Sequence, residues 1–141
     1  MAPADRFVSE ISFHVRYAET DKMGIVHHAA YLVWFEEGRS AYIREQGFSY
    51  AAVERAGHFL AAGELEAKYL MAARYDQEIT VRTWIADYRS RTVSFACEIV
   101  DALSGERLFK ARLKLVCLDS AGRVARLPAA WSAWLAPSGD G

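Results

Sequence analysis

The chain has 141 residues, 52% of them hydrophobic and 25% charged, with 17 basic against 18 acidic side chains and a net charge of −1. That length suits one domain, able to bury roughly two-thirds of its unfolded surface without a disulfide or metal staple. The balanced charge gives no general case for nucleic acid or an anionic membrane. No apolar run approaches the roughly 20 residues of a bilayer-spanning helix, and no signal peptide follows Met1, so the expected location is the cytoplasm.

Phe7 to Ala18 alternates, with Phe7, Ile11, Phe13, Val15 and Tyr17 on one side and Glu10, Ser12, His14 and Arg16 on the other. Period two with aromatic and β-branched residues predicts a strand with one buried face. Glu19 to Gly24 breaks the pattern, and Thr20, Asp21 and Gly24 are turn residues. From about His28 to Gln46 the period changes. Tyr31, Leu32, Phe35, Gly38, Arg39, Tyr42 and Ile43 recur at three- and four-residue spacing, which predicts an amphipathic helix. Glu36, Glu37, Ser40, Arg44 and Glu45 fall largely outside the stripe. Gly38 costs the helix about 1 kcal/mol relative to alanine, a cost that close approach to a strand would explain. Gly47 ends the helix in the left-handed conformation, and Ser49 caps a short second helix over 50–56.

Strands follow. His58 to Leu70 alternates loosely. Gln77 to Tyr88 places Ile79, Val81, Thr83 and Ile85 on one face, Arg82 and Trp84 on the other. Ser90 to Asp101 turns Val93, Phe95, Cys97 and Ile99 inward. Arg107 to Asp119 turns Phe109, Ala111, Leu113, Leu115 and Cys117 inward and Lys110, Arg112 and Lys114 outward. Leu103 to Glu106 and Asp119 to Gly122 read as tight turns. Val124 to Leu127 reads as a short last strand, and Pro128 as the first turn of a terminal helix containing Trp131, Trp134 and Leu135. The whole is one domain, 1–141, with a frayed tail from about residue 137. Cys97 and Cys117 have no CxxC spacing and lie in apolar segments, so both read as buried thiols. One long helix among five to six mainly hairpin-connected strands makes an α+β domain: a curved antiparallel sheet wrapped around the helix, with open edges that favour self-association.

The run Arg16-Tyr17-Ala18-Glu19-Thr20-Asp21-Lys22-Met23-Gly24-Ile25-Val26-His27-His28-Ala29-Ala30-Tyr31-Leu32, followed by Phe35-Glu36-Glu37-Gly38-Arg39, resembles the signature of the 4-hydroxybenzoyl-CoA thioesterase family. Within it the chain is most similar to the short acyl-CoA thioesterases associated with the Tol–Pal system. The likeness is specific at Thr20-Asp21, Gly24, Val26, His28 and Tyr31, and it implies that Gly24, Val26 and Tyr31 contact the substrate. It implies the hot-dog fold and a cytoplasmic thioester hydrolase that needs no cofactor beyond the CoA of its substrate. It further implies a homo-oligomer, either a dimer or a dimer of dimers. Asp21 occupies the family's catalytic aspartate position, as nucleophile or general base. His28 occupies the position at the helix start whose backbone N–H polarises the thioester carbonyl. Ala30 departs from the asparagine that relatives often carry there.

These residue types suit the reaction. A thiolate departs readily, so hydrolysis needs a carboxylate and donors aimed at the oxyanion more than a strong general acid. Without the motif, Asp21 reads as a turn or capping residue and His28 as a hydrogen-bonding residue of the first helical turn. His27 reads as a neighbour only. The adjacent histidines point about 100° apart on a helix and make no HxxxH metal pair. Glu36 and Glu37 read as a solvated face. For the CoA phosphates the candidates are Arg89, Ser90 and Arg91 at a turn between strands. Trp84, outward on its strand, is a candidate for sheet-to-sheet contact between dimers. Two other readings share the fold: a non-catalytic acyl-CoA or acyl-carrier binding module or protein–protein adaptor, and a dehydratase or hydratase.

Overall fold

The computed structural model describes residues 2–135, apart from the side chains of Ala133 and Trp134. The expected tail beyond residue 136 and the placement of the Trp134 side chain lie outside the described residues.

The alternating segments form strands β1 (Ser9–His14), β2 (Phe59–Tyr69), β3 (Glu78–Tyr88), β4 (Thr92–Asp101) and β5 (Arg107–Leu118). They make one five-stranded sheet in the order β1-β3-β4-β5-β2, every neighbour antiparallel. The helical segments form α1 (His28–Glu45) and α2 (Tyr50–Arg55), with a last turn α3 (Ser132–Leu135). This is the hot-dog fold, with α1 packed against β1, β3 and β4 of the sheet. Gly47 ends α1 with φ +90, as its position predicts. The Ser49 hydroxyl accepts the Ala52 N–H at 3.1 Å and starts α2.

The core is the layer between α1 and the sheet. Ile79, Val81, Thr83 and Ile85 of β3 and Val93, Phe95, Cys97 and Ile99 of β4 are buried beneath Tyr31, Trp34, Phe35, Tyr42 and Ile43. Burying a side chain such as Phe35 contributes about 1.5–3 kcal/mol. Gly38 lies against β3: a methyl group there would meet Val81 Cγ1 at 2.9 Å and also press on Thr83 Oγ1.

Four expectations need correction. The first strand stops at His14, and Tyr17 is 77% exposed in a 3-10 turn (Tyr17–Glu19), its ring edge-on to Tyr75 at 5.6 Å. The alternation through Tyr17 is overridden because the Glu19 carboxylate accepts the Arg16 N–H and turns the chain. The buried stripe of α1 includes Trp34, 1% exposed, while Leu32 and Arg39 are only half-buried. Val124 makes a single bridge to Leu118 rather than a strand, since the Leu127 N–H turns away to Ser90 O at 2.9 Å. Finally, Pro128 precedes a 3-10 turn (Ala129–Trp131) before α3 begins.

Candidate active site

Between β1 and α1 the chain folds into a small two-legged loop. Thr20 bridges Val26, the Asp21 N–H donates to Ile25 O at 2.9 Å, and the Gly24 N–H donates to Asp21 O at 3.0 Å. Gly24 closes the tip at φ +79, a conformation glycine adopts at no steric cost. Asp21 is exposed on this loop, and its Oδ1 accepts the Met23 N–H at 2.8 Å. The legs meet where the His27 N–H donates to Glu19 O at 2.9 Å.

The helix begins at that junction. His27, read from sequence as a bystander, is the N-cap: its Nδ1 accepts the Ala29 N–H at 3.3 Å and its carbonyl accepts the Ala30 N–H at 3.0 Å. Among the described residues the N–H of His28 has no acceptor. It sits at the positive end of an 18-residue helix, where unpaired N–H groups favour negative charge. The His27 and His28 rings are 5.4 Å apart at 67°, and the His27 Nδ1 is occupied by the cap.

Asp21 and the helix start share a groove of about 590 Å³ with Ile25, Val26, His27, Tyr31 and the segment Tyr69 to Ala72. The far wall is tied on firmly. Leu70 and Met71 N–H groups both donate to Leu108 O, and the Val26 N–H donates to Ala73 O at 2.8 Å. The Ala73 N–H donates to the Tyr31 hydroxyl oxygen at 2.9 Å. Burial pushes the Tyr31 phenol above its ordinary pKa, and the Ala73 N–H partly offsets that rise. The Tyr69 hydroxyl donates to His28 O at 2.9 Å, so the carbonyl of residue 28 is engaged while its N–H stays open.

The structure brings Asp21, Val26, His28 and Tyr31 of the sequence-derived candidates to one groove, with Gly24 at the loop tip. Arg89, Ser90 and Arg91 are elsewhere. Their turn joins β3 to β4 at the far end of the sheet: Thr92 pairs with Val116, whereas Tyr69 of the groove pairs with Phe109. Seven residues of β5 separate those positions, roughly 23 Å along a strand. The outward stripe of Lys110, Arg112 and Lys114 faces Glu98, Glu64 and Glu66, so it is a mixed-charge face. Trp84 is half-buried there, beside a shallow hollow lined by Leu65, Ala67 and Ala96. Glu36 and Glu37 are exposed on the solvent side of α1. Cys97 and Cys117 are free thiols, and burial pushes the Cys97 thiol up to about 12 and also raises that of Cys117.

Three residues in or behind the groove escaped sequence reasoning: Tyr69 and His27 line it, and Glu19 lies behind the Asp21 loop. Tyr69 lies in a loosely alternating strand. The cap formed by His27 goes against the usual preference for serine, threonine, aspartate or asparagine. Glu19, whose carboxylate accepts the Trp34 Nε1–H at 2.7 Å, reads from sequence only as part of the motif.

The family model of the thioesterase-like superfamily matches residues 15–135. The chain is 39% identical over 112 residues to the putative acyl-CoA thioesterase YneP of Bacillus subtilis, covering 79% of this chain and 80% of that one. It is 32% identical over 111 residues to the acyl-CoA thioesterase YbgC of Haemophilus influenzae, covering 77% and 80%. Among solved structures it resembles the DHNA-CoA thioesterase of Staphylococcus aureus, with TM-score 0.82 and 32% identity over 90% of this chain and 85% of that one.

Proposed function

The chain belongs to the thioesterase-like superfamily and is an enzyme of the acyl-CoA thioesterase type; from that premise we propose that Asp21 and the N–H of His28 carry the hydrolysis. The observation behind this is their shared groove: an exposed carboxylate and a helix-end N–H that has no acceptor among the described residues border one space of about 590 Å³. In the reaction, water and the acyl-CoA become a carboxylic acid and CoA. The Asp21 carboxylate either takes a proton from the attacking water or attacks the carbonyl carbon itself, in which case the mixed anhydride left after the thiolate departs is hydrolysed by water to the acid and free Asp21. The His28 N–H donates to the oxygen as it gains charge, and the thiolate then leaves. Within the superfamily, the motif around Asp21 favours the 4-hydroxybenzoyl-CoA thioesterase branch and, within it, the Tol–Pal-associated enzymes.

The unit that acts is proposed to be a dimer or a dimer of dimers. Among the described residues β2 is an edge strand paired only with β5; Leu65 in its middle and Tyr69, Leu70 and Met71 at and just past its end beside the groove are 45–48% exposed. Such an edge invites a second strand. Arg89, Ser90 and Arg91 then act on CoA phosphates only if a second copy's turn meets the groove. Substituting Arg89 and Arg91 together should raise KM for an acyl-CoA but not for the matching acyl-pantetheine, which lacks those phosphates.

The test is Asp21→Asn across short-chain, long-chain and aromatic acyl-CoAs. Loss of the carboxylate should lower kcat by about 10²–10⁴-fold in a folded protein. Wild-type turnover by that variant would remove Asp21 from the mechanism. Tight acyl-CoA binding without turnover by the wild type, over the whole panel, would favour a binding module instead.

A further inference from the structure

Asp21 reaches toward the groove from an exposed loop, and among the described residues its side chain is bonded only within that loop, to the Met23 N–H. Its aim relative to the His28 N–H is therefore set by whatever fixes the loop backbone. One wall is fixed through Val26 to Ala73. The other is fixed by Glu19, two residues before Asp21.

The Glu19 carboxylate takes three hydrogen bonds. Oε1 accepts the Arg16 N–H at 2.8 Å, and Oε2 accepts Trp34 Nε1–H at 2.7 Å and Arg16 Nη1 at 3.1 Å. The Glu19 side chain is only 15% exposed, and Trp34, on the second turn of α1, is 1% exposed. The indole N–H thus meets an ionised acceptor away from solvent, the arrangement in which such bonds are strongest. The backbone carbonyl of the same residue accepts the His27 N–H and closes the loop onto the N-cap. Glu19 therefore joins three parts: the exit from β1, the base of the Asp21 loop and the body of α1.

We propose that Glu19 is a positioning residue for the hydrolysis, holding Asp21 against the His28 N–H by pinning the loop to Trp34. This rests on the roles given above to Asp21 and the His28 N–H. A displacement of about 1 Å at reacting groups can cost about 100-fold in rate, so a pin of this kind acts on turnover before it acts on binding.

The experiment compares Glu19→Ala, Trp34→Phe and the double variant, reading kcat, KM, melting temperature and amide hydrogen exchange over residues 20–28. Each single variant should lower kcat about 10- to 100-fold, with KM moved by less than about threefold. The double variant should be no worse than the worse single one, because both remove the same bond. Exchange should quicken over 20–28 and stay slow in β4 and β5. Glu19→Gln, which keeps one acceptor oxygen, should recover part of kcat. A purely architectural role predicts a lower melting temperature with kcat within about twofold of wild type, or single-variant losses that multiply; either result overturns the proposal. If Asp21→Asn retains full activity, the reading of the site fails instead. The exchange measurement still decides the pin, since unchanged exchange over 20–28 in Glu19→Ala overturns it without reference to turnover.

Discussion

Proline at position 28 would delete one donor while leaving α1 a competent start. His28 is the first residue of the helix, where an N–H has no acceptor in the helix and proline is well tolerated. The preceding residue is already where proline would push it: His27 has φ −71 and ψ 143, an extended conformation. The carbonyl that Tyr69 holds is retained. His28→Ala is the matching control, because it removes the ring and keeps the N–H. If that N–H stabilises the oxyanion, its loss should lower kcat by about 10²–10³-fold, equivalent to about 2.7–4 kcal/mol. His28→Ala should then stay within about fivefold of wild type, roughly 1 kcal/mol on the same scale. The assay follows release of free CoA thiol at saturating substrate, with a melting curve on each variant to establish folding. A proline variant as active as the alanine variant would refute the backbone role. An alanine variant as impaired as the proline variant would move the function to the ring.

Three further outcomes concern the scaffold. Gly38→Ala gains about 1 kcal/mol of helix propensity but forces a methyl group onto Val81 and Thr83, both 0% exposed; at about 1–3 kcal/mol for overpacking, the net should be destabilising in urea titration at fixed protein concentration. Adding Thr83→Ala should recover part of that loss, and a Gly38→Ala protein more stable than wild type would show that the helix has room to move. Tyr31→Phe leaves the buried Ala73 N–H without its partner and should cost about 1–3 kcal/mol by the same titration. Asp101 is held down to about 2 by the Gln77 amide and then by the Ser104 and Leu103 N–H groups. A depressed carboxylate contributes stability that is complete above its unfolded pKa, about 3.9, and is lost as pH falls through the folded value near 2. Asp101→Asn should therefore lower stability at neutral pH and flatten its decline between about pH 4 and pH 2, read as the melting temperature against pH.

Where one chemical signal governs a segment, the sequence is a sufficient guide. The apolar spacing from Tyr31 to Ile43, with Gly47 and Ser49 behind it, predicts α1 and the start of α2 to within a residue. Clean alternation predicts the inward faces of β3, β4 and β5. What stays hidden depends on partners remote in the chain. Glu19 and Trp34 are 15 residues apart, and Tyr31 and Ala73 are 42 apart. No periodicity registers a carboxylate meeting an indole, or a phenol meeting a loop amide. Tyr17 shows the reverse failure: it continues a sound alternation, yet a local hydrogen bond to Arg16 N–H ends the strand first. In the groove, the motif marks Asp21 and residue 28, while the cap provided by His27 is visible only once the helix start is built.

The strand order has a kinetic consequence. β3, β4 and β5 are neighbours both in sequence and in the sheet, so two local hairpins can form with little loop-closure entropy. β1 and β2 take the opposite edges, and each pairs with a strand distant along the chain: Ser9 with Thr83, Phe59 with Leu118. The groove needs both edges, since the Asp21 loop hangs from β1 and Tyr69 ends β2. This topology predicts that the hairpins form the nucleus and that the groove closes late. Substitutions around Asp21 then act chiefly on the rate of unfolding, and the groove's lifetime, more than its formation, responds to changes in its own residues.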